Sequence, residues 1–231
     1  YQTGATVGAF VLDSKWGLDQ GFQAYQDDFD LTNVKAMSLA SVKRPGNEVV
    51  DLALKWMEGV ADQRFFAWLH LYDPHAPYES PEPFRSQYRG HPYRGAIAFT
   101  DAQVGRVFDF LDQRGLSDNT IVIVTADHGE GLGEHGEETH GFFIYESSMR
   151  VPLIVRAPGR DITPRRVTQP VRTVDIMPTV LDLLGVPLPE PVEGASLVPL
   201  LTGAARELDR DLVGYGEAMY PLHHYGWSEL T

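Results

Sequence analysis

The residues Thr120-Ile121-Val122-Ile123-Val124-Thr125-Ala126-Asp127-His128-Gly129-Glu130 decide the fold. Four consecutive β-branched apolar side chains leave no polar face for solvent, the pattern of a strand covered on both sides. The run passes directly into an acid and an imidazole. In open α/β sheets ligands gather beyond the carboxyl ends of the strands, so Asp127-His128 stands where chemistry is expected.

The same pattern recurs outward from this stretch. Arg64 to Tyr72 is apolar on both alternating faces and reads as a central parallel strand, stopped by the prolines of Asp73-Pro74-His75-Ala76-Pro77-Tyr78. Ala5 to Leu12 and Val151 to Arg156 read as further strands, and Leu212 to Tyr215 as an edge strand. Between them, Val50, Ala53, Met57 and Val60 recur at helical spacing within 47–60. A second helix is predicted over 93–114, with Gly115 as its C-cap. A third spans 175–184, with Pro178 in its first turn. Asp19 to Asp30 reads as an irregular acidic stretch, and Pro187 to Pro199 as loop. Strands alternating with helices predict an α/β fold: a mostly parallel central sheet with helices on both faces, in a single domain over residues 1–231.

Composition removes whole function classes. The 231 residues include no cysteine, so disulfide frameworks, Cys-ligated zinc, iron–sulfur clusters and thiol catalysis fall away. A net charge of −13 argues against a nucleic-acid partner, which needs a basic stripe. Apolar residues at 43% and aromatics at 11% exclude a disordered chain. No apolar run is long enough to span a membrane, and the first residues lack the charged and apolar regions of a signal peptide. The chain has no initiator Met and opens almost at once into a strand, so it reads as a piece of a longer chain. A missing first strand would expose a sheet edge and an uncovered face, predicting self-association.

Three of the eight histidines, His128, His135 and His140, fall within thirteen residues, interleaved with Glu130, Glu134, Glu137 and Glu138. Glycines 129, 131, 133, 136 and 141 read as a pliable loop able to gather these side chains. An adjacent Asp-His pair closing a buried strand suits a divalent metal: the carboxylate supplies hard oxygen and charge, the imidazole a borderline nitrogen. Polar groups at such a strand end need a partner. His70, inside an apolar strand, reads as a satisfied core histidine, and His91 as a surface loop residue. His223 and His224, flanked by Tyr220 and Tyr225, either line a pocket or close the segment.

The stretch from Asn119 to Gly136 resembles the sulfatase family of the alkaline phosphatase superfamily. So do His140-Gly141, Tyr145-Glu146, Met149 to Val155 and Pro158-Gly159. Upstream, Phe10 to Ser14 with Gly17 to Phe22, and His70 to Tyr78, are similar to the family; downstream, so are Asp175 to Leu181, Leu184-Gly185 and Gly194 to Leu201. The ordered set covers essentially the whole chain.

The resemblance implies an alkaline phosphatase/sulfatase-like core and hydrolysis of a small anionic ester by a formylglycine nucleophile. It implies one divalent cation, usually calcium, with Asp127 and His128 as two of its ligands. Manganese or zinc are alternatives because His128 stands where the best-known arylsulfatases have asparagine. His75 matches a histidine that contacts the sulfate and protonates the leaving alkoxide. His140 stands near a sulfate-binding lysine of many members. His128 is also a feature of relatives that hydrolyse phosphate or phosphonate esters or choline sulfate. The remaining ligands and the nucleophile are expected upstream of Tyr1. The family makes formylglycine within Cys/Ser-x-Pro-x-Arg, and Ser80-Pro81-Glu82-Pro83-Phe84-Arg85 has its prolines elsewhere, so the chain alone is expected to lack turnover. Alternatives are a related phosphodiesterase or phosphonate monoester hydrolase, or a non-catalytic metal- or anion-binding module. The resemblance alone favours an extracytoplasmic location.

Overall fold

The computed structural model describes residues 1–31, 42–189, 191–209 and 213–227. They form two compact units, Tyr1–Ser117 and Asp118–Thr231, each described by itself.

The first unit is built on β1 (Gln2–Val7), β2 (Ala24–Gln26) and β3 (Phe65–His70), parallel in the order β2-β1-β3. The central strand is therefore β1, whose Ala5 and Val7 are buried. Sequence reading put β3 in the centre, but it is an outer strand of this sheet with Phe66 50% exposed. The alternation explains the misplacement. Phe65 faces the helical layer, its ring 6.2 Å from Trp56. Phe66 and Trp68 instead stack on Phe22 from the opposite face, so both faces are apolar although among the described residues only β1 pairs with β3. The first strand ends at Val7 rather than Leu12, and β2 occupies part of the acidic stretch read as irregular.

One long helix covers the sheet and a second packs on that helix. α1 (Gly46–Gly59) buries Val49, Val50, Ala53 and Met57, one turn-spaced stripe. Gly4 permits its approach, since a Cβ there would lie 2.5 Å from the Trp56 ring. After the single turn α2 (Phe84–Gln87), α3 (Pro92–Gln113) packs beside α1. Gly115, at φ 66°, follows its end, and Leu116 N–H donates to Leu111 O at 2.8 Å. Arg44 joins the carboxyl ends of β1 and β2: Nη1 donates to Val7 O and Gln26 O at 3.1 Å, and Nη2 to Asp28 O at 2.6 Å. Burial lowers the Arg44 pKa, opposed by Asp28, Glu48 and Asp27.

The second unit pairs β4 (Val122–Thr125) with β5 (Leu153–Arg156) as an antiparallel ribbon, with α4 (Glu146–Met149) between them in sequence. The continuous apolar run had pointed to a parallel partner; apolarity reports coverage of the faces, and here the ladder runs the other way. α5 (Ile176–Leu184), α6 (Val198–Thr202) and α7 (Tyr220–Tyr225) complete the unit. Pro178 lies in the first turn of α5, and Gly185 (φ 67°) follows its end, as expected.

Asp175, fully buried, ties this unit together. Its Oδ2 accepts from Arg172 N–H at 2.8 Å, and its Oδ1 from Ala195 N–H at 3.0 Å and Arg172 Nη2 at 3.3 Å. Val213 to Tyr215 show no ladder, while Leu212 lies outside the described residues. No helix among the described residues is long and apolar enough to cross a membrane.

Candidate active site

In the first unit, β3 delivers the segment that carries His75. Gly8 and His70 meet at the carboxyl end of the sheet: Gly8 N–H donates to His70 Nδ1 at 3.3 Å, so His70 is the satisfied histidine its apolar context implied. Three residues on, Asp73 is buried and its Oδ1 accepts from Gly46 N–H at 3.1 Å, joining the loop to the first residue of α1. Burial raises the Asp73 pKa, against hydrogen bonds from Gly46 and its own amide and the charge of Lys43.

His75 then sits in a turn, its N–H donating to Tyr72 O at 3.0 Å and its ring stacked on Tyr72 at 4.3 Å. Its Nδ1 is 2.8 Å from Ala76 O. A carbonyl only accepts, so that contact assigns the proton to Nδ1, and Nε2 carries one only in the imidazolium.

In the second unit, the segment after β4 folds back on itself. Gly129 N–H donates to Ser148 O at 2.7 Å, Gly131 N–H to Thr139 O at 2.7 Å, and Gly133 N–H to Glu137 O at 2.9 Å. Glycine 129 serves close approach rather than pliability: a Cβ there would lie 2.0 Å from Ser147 O.

This fold-back brings His128 and His140 together, ring centroids 4.0 Å apart, while His135 turns aside to stack on Tyr145. Glu130, its side chain 5% exposed, places Oε1 3.0 Å from His140 Nδ1. Sequence reading placed Glu130 among the loop carboxylates without a role; its sequence spacing of ten from His140 carries no local signal for the pair. His223 and His224 lie in α7, with His224 stacked on Tyr220 at 3.9 Å.

The Asp127-His128 pair has a geometry of its own. Asp127 Oδ1 accepts from His128 N–H at 3.0 Å, which orients the carboxylate. His128 Nδ1 is 2.9 Å from Gly129 O and therefore holds a proton. Its Nε2 faces Asp127 Oδ2 at 3.6 Å. In the neutral imidazole these are two acceptors facing each other, an arrangement that a proton or a cation relieves. Oxygen and nitrogen donors at this spacing fit two neighbouring ligands of one divalent ion. The fit is partial, because among the described residues no group of three His, Asp or Glu forms a metal cluster.

Comparison with known proteins agrees with the sequence resemblance. The family profile described as Sulfatase matches residues 2–186. Steryl-sulfatase of Rattus norvegicus is 33% identical over 163 residues, covering 64% of this chain and 28% of that protein. Arylsulfatase K of Bos taurus is 43% identical over 107 residues, 46% of this chain and 19% of that protein. Among solved structures, the phosphonate monoester hydrolase of Silicibacter pomeroyi superposes with a TM-score of 0.67 at 27% identity, covering 77% of this chain and 46% of the other. The chain thus spans less than a third of the length of these curated relatives, and the match runs through both units. The chain belongs to the sulfatase family.

Proposed function

We propose that this sulfatase-family chain contributes a metal pair and two histidines to the hydrolysis of a sulfuric ester. The observation that carries the reading is Asp127 Oδ2 facing His128 Nε2 at 3.6 Å. Asp127 and His128 would hold one divalent cation, calcium by family resemblance, with manganese or zinc as alternatives. When bound, such an ion withdraws charge from the non-bridging oxygens of the ester.

The other roles follow from side-chain protons. His75, with Nδ1–H directed at Ala76 O, gives the Nε2 proton of its imidazolium to the departing alkoxide oxygen. His140, oriented by Glu130 through Nδ1, offers its Nε2–H to a sulfate oxygen as the imidazolium. The absence of cysteine and of Ser-x-Pro-x-Arg from the 231 residues supports a chain that binds the cation but supplies no formylglycine, and so has no turnover by itself.

A second reading, phosphonate or phosphate ester hydrolysis on the same residues, is favoured by His128 in place of asparagine and by the superposition on a phosphonate monoester hydrolase. Calorimetric titration of calcium, manganese and zinc into the chain tests the metal pair. Asp127→Ala is expected to weaken binding of the preferred ion at least about tenfold. Equal affinity of the variant and the parent for all three ions would sink the assignment.

A further inference from the structure

An acid that protonates a departing oxygen must keep its ring in place, yet His75 sits on no helix or strand. The chain between β3, which ends at His70, and the single turn α2, which begins at Phe84, holds no regular element. What orders it near His75 is a four-residue turn, closed by His75 N–H donating to Tyr72 O at 3.0 Å. The rings at the two ends of that turn stack at 4.3 Å, and His75 Nδ1 is 2.8 Å from Ala76 O. Ring orientation and tautomer therefore both depend on where the turn lies.

Two links tie this segment to the chain that enters α1. Lys43 Nζ lies 3.8 Å from Glu79 Oε2, but the Glu79 side chain is 70% exposed, and an ion pair in water fixes little. The other link is inside the turn: Asp73 is 9% exposed, and its Oδ1 accepts from Gly46 N–H at 3.1 Å. Gly46 opens α1, so its amide is one that the helix leaves without an internal partner, and the carboxylate meets the positive end of a 14-residue helix. Val49, Val50, Ala53 and Met57 hold that helix in the core. The fit is close, since a Cβ on Gly46 would stand 2.5 Å from Asp73 Oδ2. Pro74, its φ fixed by the ring, then carries the position of Asp73 to His75 with little slack.

We propose that Asp73 is a positioning residue for His75. By accepting the Gly46 amide it holds the Tyr72–His75 turn against α1, and so keeps the His75 ring on Tyr72 with its Nδ1 proton on Ala76 O. Nε2 is then the nitrogen that gains and gives the second proton. The use of that proton in ester cleavage rests on the proposed function, whereas the fixing of the ring does not.

The test is NMR of the isotope-labelled 231-residue chain above the histidine titration range, where neutral rings report their tautomer. In the parent, His75 is expected as one Nδ1–H tautomer with ring-to-ring NOEs to Tyr72. Asp73→Ala should lose those NOEs and show a mixture of both tautomers. Asp73→Asn should restore the parent pattern, because its amide oxygen still accepts from Gly46. Gly46→Ala introduces a good helix former and displaces the carboxylate without removing it, with the same loss expected at His75; it decides the matter where Asp73→Ala does not fold. Val49→Ala truncates a buried α1 side chain away from the turn and should lower the melting temperature with His75 unchanged, which separates positioning from general destabilisation. A parent-like His75 in Asp73→Ala or Gly46→Ala, mixed tautomers in the parent or in Asp73→Asn, or the same His75 change in Val49→Ala would overturn the proposal. These signals need neither metal nor turnover, so a failed metal pair and a failed anchor give different results.

Discussion

Replacing Gly129 by alanine separates steric contact from backbone conformation as the reason for the glycines of the histidine loop. The added Cβ would stand 2.0 Å from Ser147 O and 3.4 Å from Ser148 Cα. Both are backbone atoms, so no rotamer change relieves the overlap and the loop must move by more than an ångström. That movement breaks the 2.7 Å bond from Gly129 N–H to Ser148 O. Overpacking of about 1–3 kcal/mol plus a lost hydrogen bond of about 1 kcal/mol gives a destabilisation of about 3 kcal/mol.

Gly133→Ala is the matched control, since it sits at φ 89° with nothing within 4 Å of the added Cβ. Its cost is the left-handed conformation alone, about 1–2 kcal/mol. Urea denaturation of both variants, followed by amide signals of the second unit, measures the difference. Because Gly129 adjoins His128, the first variant is also expected to lose metal affinity, while Gly133→Ala retains it. Equal destabilisation of the two variants within about 0.5 kcal/mol would refute the steric account.

Two further outcomes follow from buried carboxylates. Asp175→Ala leaves the amides of Arg172 and Ala195 without their acceptor, an expected loss of about 3–5 kcal/mol and about 10 °C in melting temperature; a loss below about 1 kcal/mol would show that water replaces the carboxylate. Asp73 has a folded pKa raised above 3.8, so the native state holds its proton longer than the unfolded chain, and its contribution to stability falls as pH rises from about 3.8 through the raised value. Asp73→Asn keeps an oxygen for Gly46 and removes that decline. Parent and variant stabilities measured against pH should therefore diverge in favour of the variant above this window, and parallel curves would contradict the burial argument.

What the amino-acid sequence determined by itself is what local physics writes into neighbouring residues. The stripe of α1 follows from 3.6-residue periodicity, and the ends of α3 and α5 follow from Gly115 and Gly185, which adopt the left-handed conformation next to the last turn. The ordered motifs around Asp127-His128 and His75 carried the family, which the match over residues 2–186 shows.

The tertiary structure decided what depends on residues distant in the chain. Strand order is one case: an apolar run says that both faces of β3 are covered, and only packing shows Phe22 covering one of them while β1 takes the centre. Ladder direction is another, since the β4 side chains read alike beside a parallel or an antiparallel β5. The Arg44 link to Val7 and Gln26, the Glu130–His140 pair and the Asp73 anchor on Gly46 belong to the same class. Each joins groups through side-chain direction and long-range closure, which periodicity along the chain does not encode.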